Sequence, residues 1–462
     1  MTRYAESIPM RCWSNWLWLS LFAALSVLPS TAGAADASAV PSVVELAEQN
    51  RRLQQQIERQ QHMIDELAAR LSELQKAGEQ TRDQVKSLDE NSAAAADTSP
   101  SIAVRDREHE IHISGEAGFA FFSTGSAGQF PDSDFRIDDA KLFLETSVMR
   151  DIYFLSELQL FPRESGNANL QLGELYVDFE NVSGHVGWAE RLVNVRAGRI
   201  NTPFGEEYLV RGPMANPLIS HSLADIWGLD TGVEIYGSSG SVRYAVAVQN
   251  GGANLSRDYS ADKSVAVRLG WDPLPWLHLS GSGMRTGNLK VETPKTPGDG
   301  TSALWFGNAF FRQLGPTATT TTFHANLWEI DATARWSNGH VSAALGTVSF
   351  DDNDTTADNS RRLTYGHVEV VQSLTDDLYG AARYSRIDAP GGYPLVGWGD
   401  YGNYFYVAPL TEELSRLSLG IGYRIGPPIV LKFEYAFEWG RLINGDSRNH
   451  ENFLGSELGI TF

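Results

Sequence analysis

Between Asn201 and Asp230 the chain carries Glu206, Glu207, Arg211, Asp225 and Asp230, set among Pro203, Pro213 and Pro217. Apolar residues recur in the same stretch: Phe204, Leu209, Leu218, Ile219 and Trp227. Charges of both signs held in a narrow aqueous gap concentrate field lines, so their chemistry would be selection among ions or small solutes. A second set recurs at one parity of alternating stretches: Arg196, Arg243, Arg268, Asp331, Arg335, Arg416, Arg424, Lys432 and Glu434. Their opposite parity is apolar, as in Val242, Tyr244, Val246 and Val248 around Arg243, so the charged set shares one face. A structural salt bridge is the alternative role for any one of them, whereas the set as a whole describes a wet interior of mixed sign.

Bond-making chemistry finds no such support. The ten histidines are dispersed, without a His-x-x-x-His or His-x-His pair, so no zinc site is expected. There is no Gly-x-Ser-x-Gly and no phosphate-cradling loop with its lysine. Asp351-Asp352-Asn353-Asp354 lacks the glycine and closing glutamate of a calcium loop. No enzyme, no metal and no cofactor is expected.

The elements that must position the charges are strands. From Ile429 to Gly440, Ile429, Leu431, Phe433, Tyr435, Phe437 and Trp439 alternate with Val430, Lys432, Glu434, Ala436, Glu438 and Gly440. A period of two sends these sets to opposite faces. A soluble sandwich alternates too, but about twelve residues suits a tilted strand crossing a bilayer better. The final stretch puts Leu454, Ser456, Leu458, Ile460 and the terminal Phe462 on one face. An aromatic last residue on such a strand resembles the outer-membrane β-barrels.

Taken from its start, the chain has Arg3 and Arg11, an apolar run from Trp13 to Leu28, then Ala32-Gly33-Ala34. This predicts a signal peptide over 1–34. The single cysteine, Cys12, lies inside it, which leaves the mature chain without disulfides or thiolate sites. Val43, Leu46, Leu53, Ile57, Ile64, Leu67, Leu71, Leu74, Val85 and Leu88 then fall on one heptad seam, with Asn50 at an a position. The spacing predicts an α-helical coiled coil over 43–90, of two or three strands, followed by a linker over 91–110. From 111 to 462 strand signals recur sixteen times. Tight turns such as Ser337-Asn338-Gly339 alternate with long connections, including 201–229 and 389–412. Trp271, Trp276, Trp336 and Trp439 fall at strand ends. The expected fold is therefore all-β: a 16-stranded antiparallel transmembrane β-barrel preceded by the coiled coil. A net charge of −20 argues against nucleic acid as a partner.

Gly198-Arg199, then Thr202-Pro203-Phe204-Gly205, then Gly232-Val233-Glu234 and a closing Asn250-Gly251-Gly252 resemble the phosphate-selective porin O and P family. Asp138-Asp139-Ala140-Lys141-Leu142 and Gly173-Glu174-Leu175-Tyr176-Val177 resemble it less sharply. The resemblance implies an outer-membrane porin of a Gram-negative cell, a homotrimer passing small hydrophilic solutes or ions, with its third outer loop folded inward as a constriction. Here that loop is Asn201 to Leu229. Phosphate specificity is not carried over, because the barrel has five scattered lysines, Lys141, Lys263, Lys290, Lys295 and Lys432. An even strand count would leave the coiled coil in the periplasm. The alternative function is a structural barrel that tethers the outer membrane to the cell wall through that coil.

Overall fold

The chain divides into two units, 1–102 and 103–462. The computed structural model describes residues 111–161, 170–251, 262–287, 289–290, 322–352 and 361–462, all in the second unit. The signal peptide, coiled coil and linker expected over 1–110 lie outside the described residues.

Sixteen long strands follow one another. They are β1 (Ile111–Thr124), β2 (Asp134–Met149), β3 (Ile152–Phe161), β4 (Gln171–Phe179), β5 (Asn194–Asn201), β6 (Leu229–Ser239), β7 (Val242–Gln249) and β8 (Ser264–Leu274). Then come β9 (Leu277–Arg285), β10 (Thr322–Trp336), β11 (Gly339–Asp352), β12 (Arg361–Ser373), β13 (Leu378–Tyr393), β14 (Thr411–Gly426), β15 (Ile429–Leu442) and β16 (Phe453–Thr461). Two two-residue pieces, Leu289–Lys290 and Ser447–Arg448, extend the sheet at its loop end. Each strand pairs antiparallel with the next, and β1 pairs with β16 through Gly118 opposite Gly459. The sheet is thus a closed barrel with no free edge.

Burial runs opposite to that of a protein folded in water. On β15, Lys432 is 1% exposed and Glu434 2%, while Phe433 is 50% exposed and Trp439 43%. The apolar, aromatic parity faces out and the charged parity faces in. A sheet wrapped so that its lipophilic face is outermost is stable only if that face meets hydrocarbon. Tight turns lie at one end, between β6 and β7, β8 and β9, β10 and β11, and at Pro427-Pro428 between β14 and β15. Those two prolines have no N–H to give a ladder, so the strand must break there. Trp271, Trp276 and Trp336 are exposed near that end and Trp328 and Trp439 nearer the other, which places two aromatic girdles around the barrel. The connection at 180–193 is long for its end and holds a one-turn helix, α1 (Val182–His185).

This inversion yields a direct test. Leu419 on β14 faces outward, 46% exposed, opposite Tyr435 at the middle of the β15 apolar band. Leu419→Arg should cost about 2–4 kcal/mol in lipid vesicles, the depth-dependent penalty for a charge at mid-membrane. On a water-exposed face the same change would cost almost nothing. A urea titration in vesicles in which Leu419→Arg unfolds like the parent would contradict the lipid-facing assignment.

Candidate functional site

The β5–β6 connection, 202–228, does not stay at the rim. Its backbone is seated at one end on β8–β10 and at the other on β13–β16. At the first seat Gly205 N donates to Ser282 Oγ at 3.0 Å, and Arg268 Nη1 donates to Gly205 O at 3.3 Å. Gly205 has φ 70, and a Cβ there would stand 2.3 Å from Glu329 Oε1, so both backbone and space require glycine. Neighbouring Phe204 is buried with Ala325, Leu327, Val348, Phe350, Leu363 and Tyr365.

At the second seat the wall charges take up loop backbone. Glu434 accepts from Ile219 N and Ser220 N, each at 2.7 Å, and from the Ser220 hydroxyl. Lys432 Nζ donates to Leu218 O at 3.0 Å and Asn216 O at 3.3 Å, and pairs with Glu457 at 2.8 Å. Arg383 donates to Ser220 O at 2.7 Å and Asn216 Oδ1 at 3.1 Å, with Glu369 at 2.5 Å. Arg416 pairs with Glu438 at 2.7 Å and donates to His221 O at 3.2 Å. Charge-assisted bonds of this kind are about twice as strong as neutral ones.

Inside the loop, Arg211 forks onto Asp225 at 2.7 and 2.8 Å and lies over the Trp227 ring. His221 Nδ1 stands 2.9 Å from the same carboxylate. Burial opposes ionisation of Asp225, but Arg211 and His221 outweigh it and hold the carboxyl well below its ordinary range. Glu207 accepts from Ser222 N at 2.7 Å and from its hydroxyl at 2.5 Å, with Arg383 at 4.0 Å. Burial would raise its carboxyl, yet His367 and Arg383 bring it below the ordinary value. Glu206 points the other way, 3.7 Å from Arg268 and 3.4 Å from His278 Nε2. Asp230 is not part of the loop. It is the second residue of β6 and accepts from Gly251 N at 2.6 Å, fixing the start of the next connection.

The remaining residues expected to line a channel divide by height and sector. Arg196 faces in between the Tyr176 and Tyr236 rings, bonded to Asp178 at 2.9 Å and Glu234 at 3.2 Å. Asp331 accepts from Ser280 Oγ at 3.1 Å. Arg243, Arg335 and Arg424 sit near the tight-turn end: Arg243 pairs with Asp272 at 2.9 Å, Arg335 is exposed, and Arg424 lies over Tyr379.

One feature escaped the sequence reading. The β13–β14 connection, 394–410, with its short helix α2 (Tyr401–Tyr406), also folds inward. Trp398 stacks on Phe453 with centroids 3.9 Å apart, and its backbone N–H donates to Glu438 at 2.6 Å. Arg448, fully buried, donates to Leu395 O, Val396 O and Thr411 Oγ1 and pairs with Glu451. Leu395, Val396, Trp398 and Phe405 were the available signal, since a solvated outer loop has no use for four such residues.

No family model and no curated protein sequence matches this chain. Solved structures do match. The outer membrane channel DcaP of Acinetobacter baumannii superposes with a TM-score of 0.51 at 12% identity, covering 77% of this chain and 97% of that one. OmpT, an outer membrane protein of Vibrio cholerae, in its trimer form gives a TM-score of 0.50 at 10% identity, covering 77% of this chain and 99% of that one. At these identities the likeness is one of architecture: the described barrel has the fold of the outer-membrane channel proteins.

Proposed function

We propose that this chain is a porin of the outer membrane of a Gram-negative cell, forming a water-filled path for small hydrophilic solutes or ions. The observation that carries the reading is a barrel with its lipophilic face outward, whose charged interior is crossed by the 202–228 connection. A barrel serving only as an anchor would gain nothing from interior carboxylates and guanidiniums that keep contact with water. The 202–228 connection is the constriction in this reading, as the resemblance to the phosphate-selective porins implies. Phosphate capture is not proposed. The one interior lysine among the described strands of β2–β9, Lys141, is engaged by Asp139 at 3.0 Å and Glu116 at 3.6 Å. The trimer form of OmpT supports a homotrimer here as well. The activity is passage, not catalysis.

Planar-bilayer recording of purified protein tests the reading. The expected result is long-lived conductance, with each insertion closing in three equal steps if three barrels enter together. A protein that inserts but never conducts, and binds cell-wall material instead, would support the tether.

A further inference from the structure

Interior cations sort into two groups by sector. Lys141 on β2, Arg196 on β5 and Arg268 on β8 keep 17%, 26% and 21% of their side-chain surface accessible. Arg383 on β13, Arg416 on β14, Lys432 on β15 and Arg448 just before β16 keep 5%, 8%, 2% and 0%. The second group is covered by two chain segments together. Residues 216–221 of the β5–β6 connection lie on Lys432, Glu434, Arg383 and Arg416. Residues 395–398 of the β13–β14 connection lie on Arg448 and Glu438. Apolar side chains fill what is left: Ile219 with Phe122, Ala436 and Phe453, and Leu218 with Tyr379, Ala381 and Val430. Apolar packing of this density leaves no continuous path for water.

We propose that the aqueous path is eccentric, running along the β2–β9 wall, and that the two inward connections weld the β12–β16 sector into a dry wedge. This rests on the channel reading. Its sharpest consequence separates two adjacent residues. Glu206 faces Arg268 and His278 on the wet side, with 27% of its side chain accessible. Glu207 is turned to Ser222 and Arg383, with 13% accessible. A charge already bonded inside a dry wedge is screened from a permeant by its partners, whereas one at the water's edge acts on every passing ion. Glu206 is thus a selectivity residue and Glu207 an anchor of the loop.

The test compares reversal potentials under a salt gradient for the parent, Glu206→Gln and Glu207→Gln. Glu206→Gln should shift the potential toward anion preference with conductance nearly kept. Glu207→Gln should leave the potential in place and make the open level noisier as the loop loosens. A second measurement does not depend on either variant folding well. In a Cys12→Ser background, Arg196→Cys, at a position with 26% of its parent side chain accessible, should lose conductance on adding a bulky water-soluble thiol reagent, and Ser418→Cys, whose parent hydroxyl lies 3.1 Å from Ser220 Oγ in the wedge, should not respond. A conducting parent in which Glu207→Gln shifts the potential as much as Glu206→Gln, or in which Ser418→Cys is blocked as readily as Arg196→Cys, overturns the eccentric path. A parent that does not conduct at all removes the channel reading, and this inference with it.

Discussion

Glu434→Ala should free the 202–228 connection from the wall while the barrel stays closed. The carboxylate serves two loop N–H groups and one hydroxyl, all in a region that excludes water. Truncation leaves the two N–H groups without an acceptor, while the Ser220 hydroxyl can turn to Ser418, and each orphaned buried donor costs about 1–3 kcal/mol. Lys432 keeps its pair with Glu457. The loss therefore falls on docking of the loop and not on the strand ladder, where Glu434 still pairs with Gly420 through the backbone. Docking free energy of that size is most of what a short segment can have, so the undocked state should become well populated. Trypsin reports it directly. Arg211, held onto Asp225 in the docked loop, becomes a cleavage site once the loop leaves the wall. Conductance should rise and flicker at the same time. Glu434→Gln keeps one acceptor oxygen and should fall between parent and Glu434→Ala. If Glu434→Ala resists trypsin and conducts like the parent, Glu434 does not hold the loop to the wall.

The barrel was legible in the sequence for a simple reason. Strand parity is a local property, and β15 shows it over twelve residues from Ile429 to Gly440. Parity also placed Arg196, Lys432 and Glu434 on the inner face, where the structure has them. It said nothing about what would come to lie on that face. Lys432 and Arg196 look alike in their strands, yet one is sealed under Asn216 and Leu218 and the other stands between two tyrosine rings beside water. That difference depends on pairings across more than two hundred residues of sequence, such as Ser220 with Glu434. Composition alone could have pointed to the 394–410 connection. Gly397 there has φ 59, and a Cβ on it would stand 2.3 Å from Glu438 Oε1, a close approach that leaves no trace in periodicity.

Arg448→Met should do to the 394–410 connection what Glu434→Ala does to its counterpart, and by more. Arg448 has no accessible side-chain surface and bonds Glu451 at 2.5 Å, Leu395 O at 2.5 Å and Val396 O at 2.7 Å, with its guanidinium 3.7 Å above the Tyr404 ring. Methionine fills much of the volume but leaves Glu451 buried without its cation. Breaking a buried pair from one side costs about 3–5 kcal/mol, mostly as the penalty on the stranded charge. The segment holding Trp398 should then leave the mouth, and its stacking on Phe453 should be lost. Tryptophan fluorescence should shift to the red as Trp398 meets water. Removing both charges separates a stranded carboxylate from a lost guanidinium. In Arg448→Met with Glu451→Gln, nothing ionised is left behind, so part of the stability and part of the blue emission should return. The carbonyls of Leu395 and Val396 lose the guanidinium in both variants and keep only Thr411 Oγ1 and Gly399 N, so recovery should be incomplete. Equal losses in the single and double variants would mean that Arg448 acts only by bonding those carbonyls, and that its pairing with Glu451 contributes nothing to closing this side of the barrel.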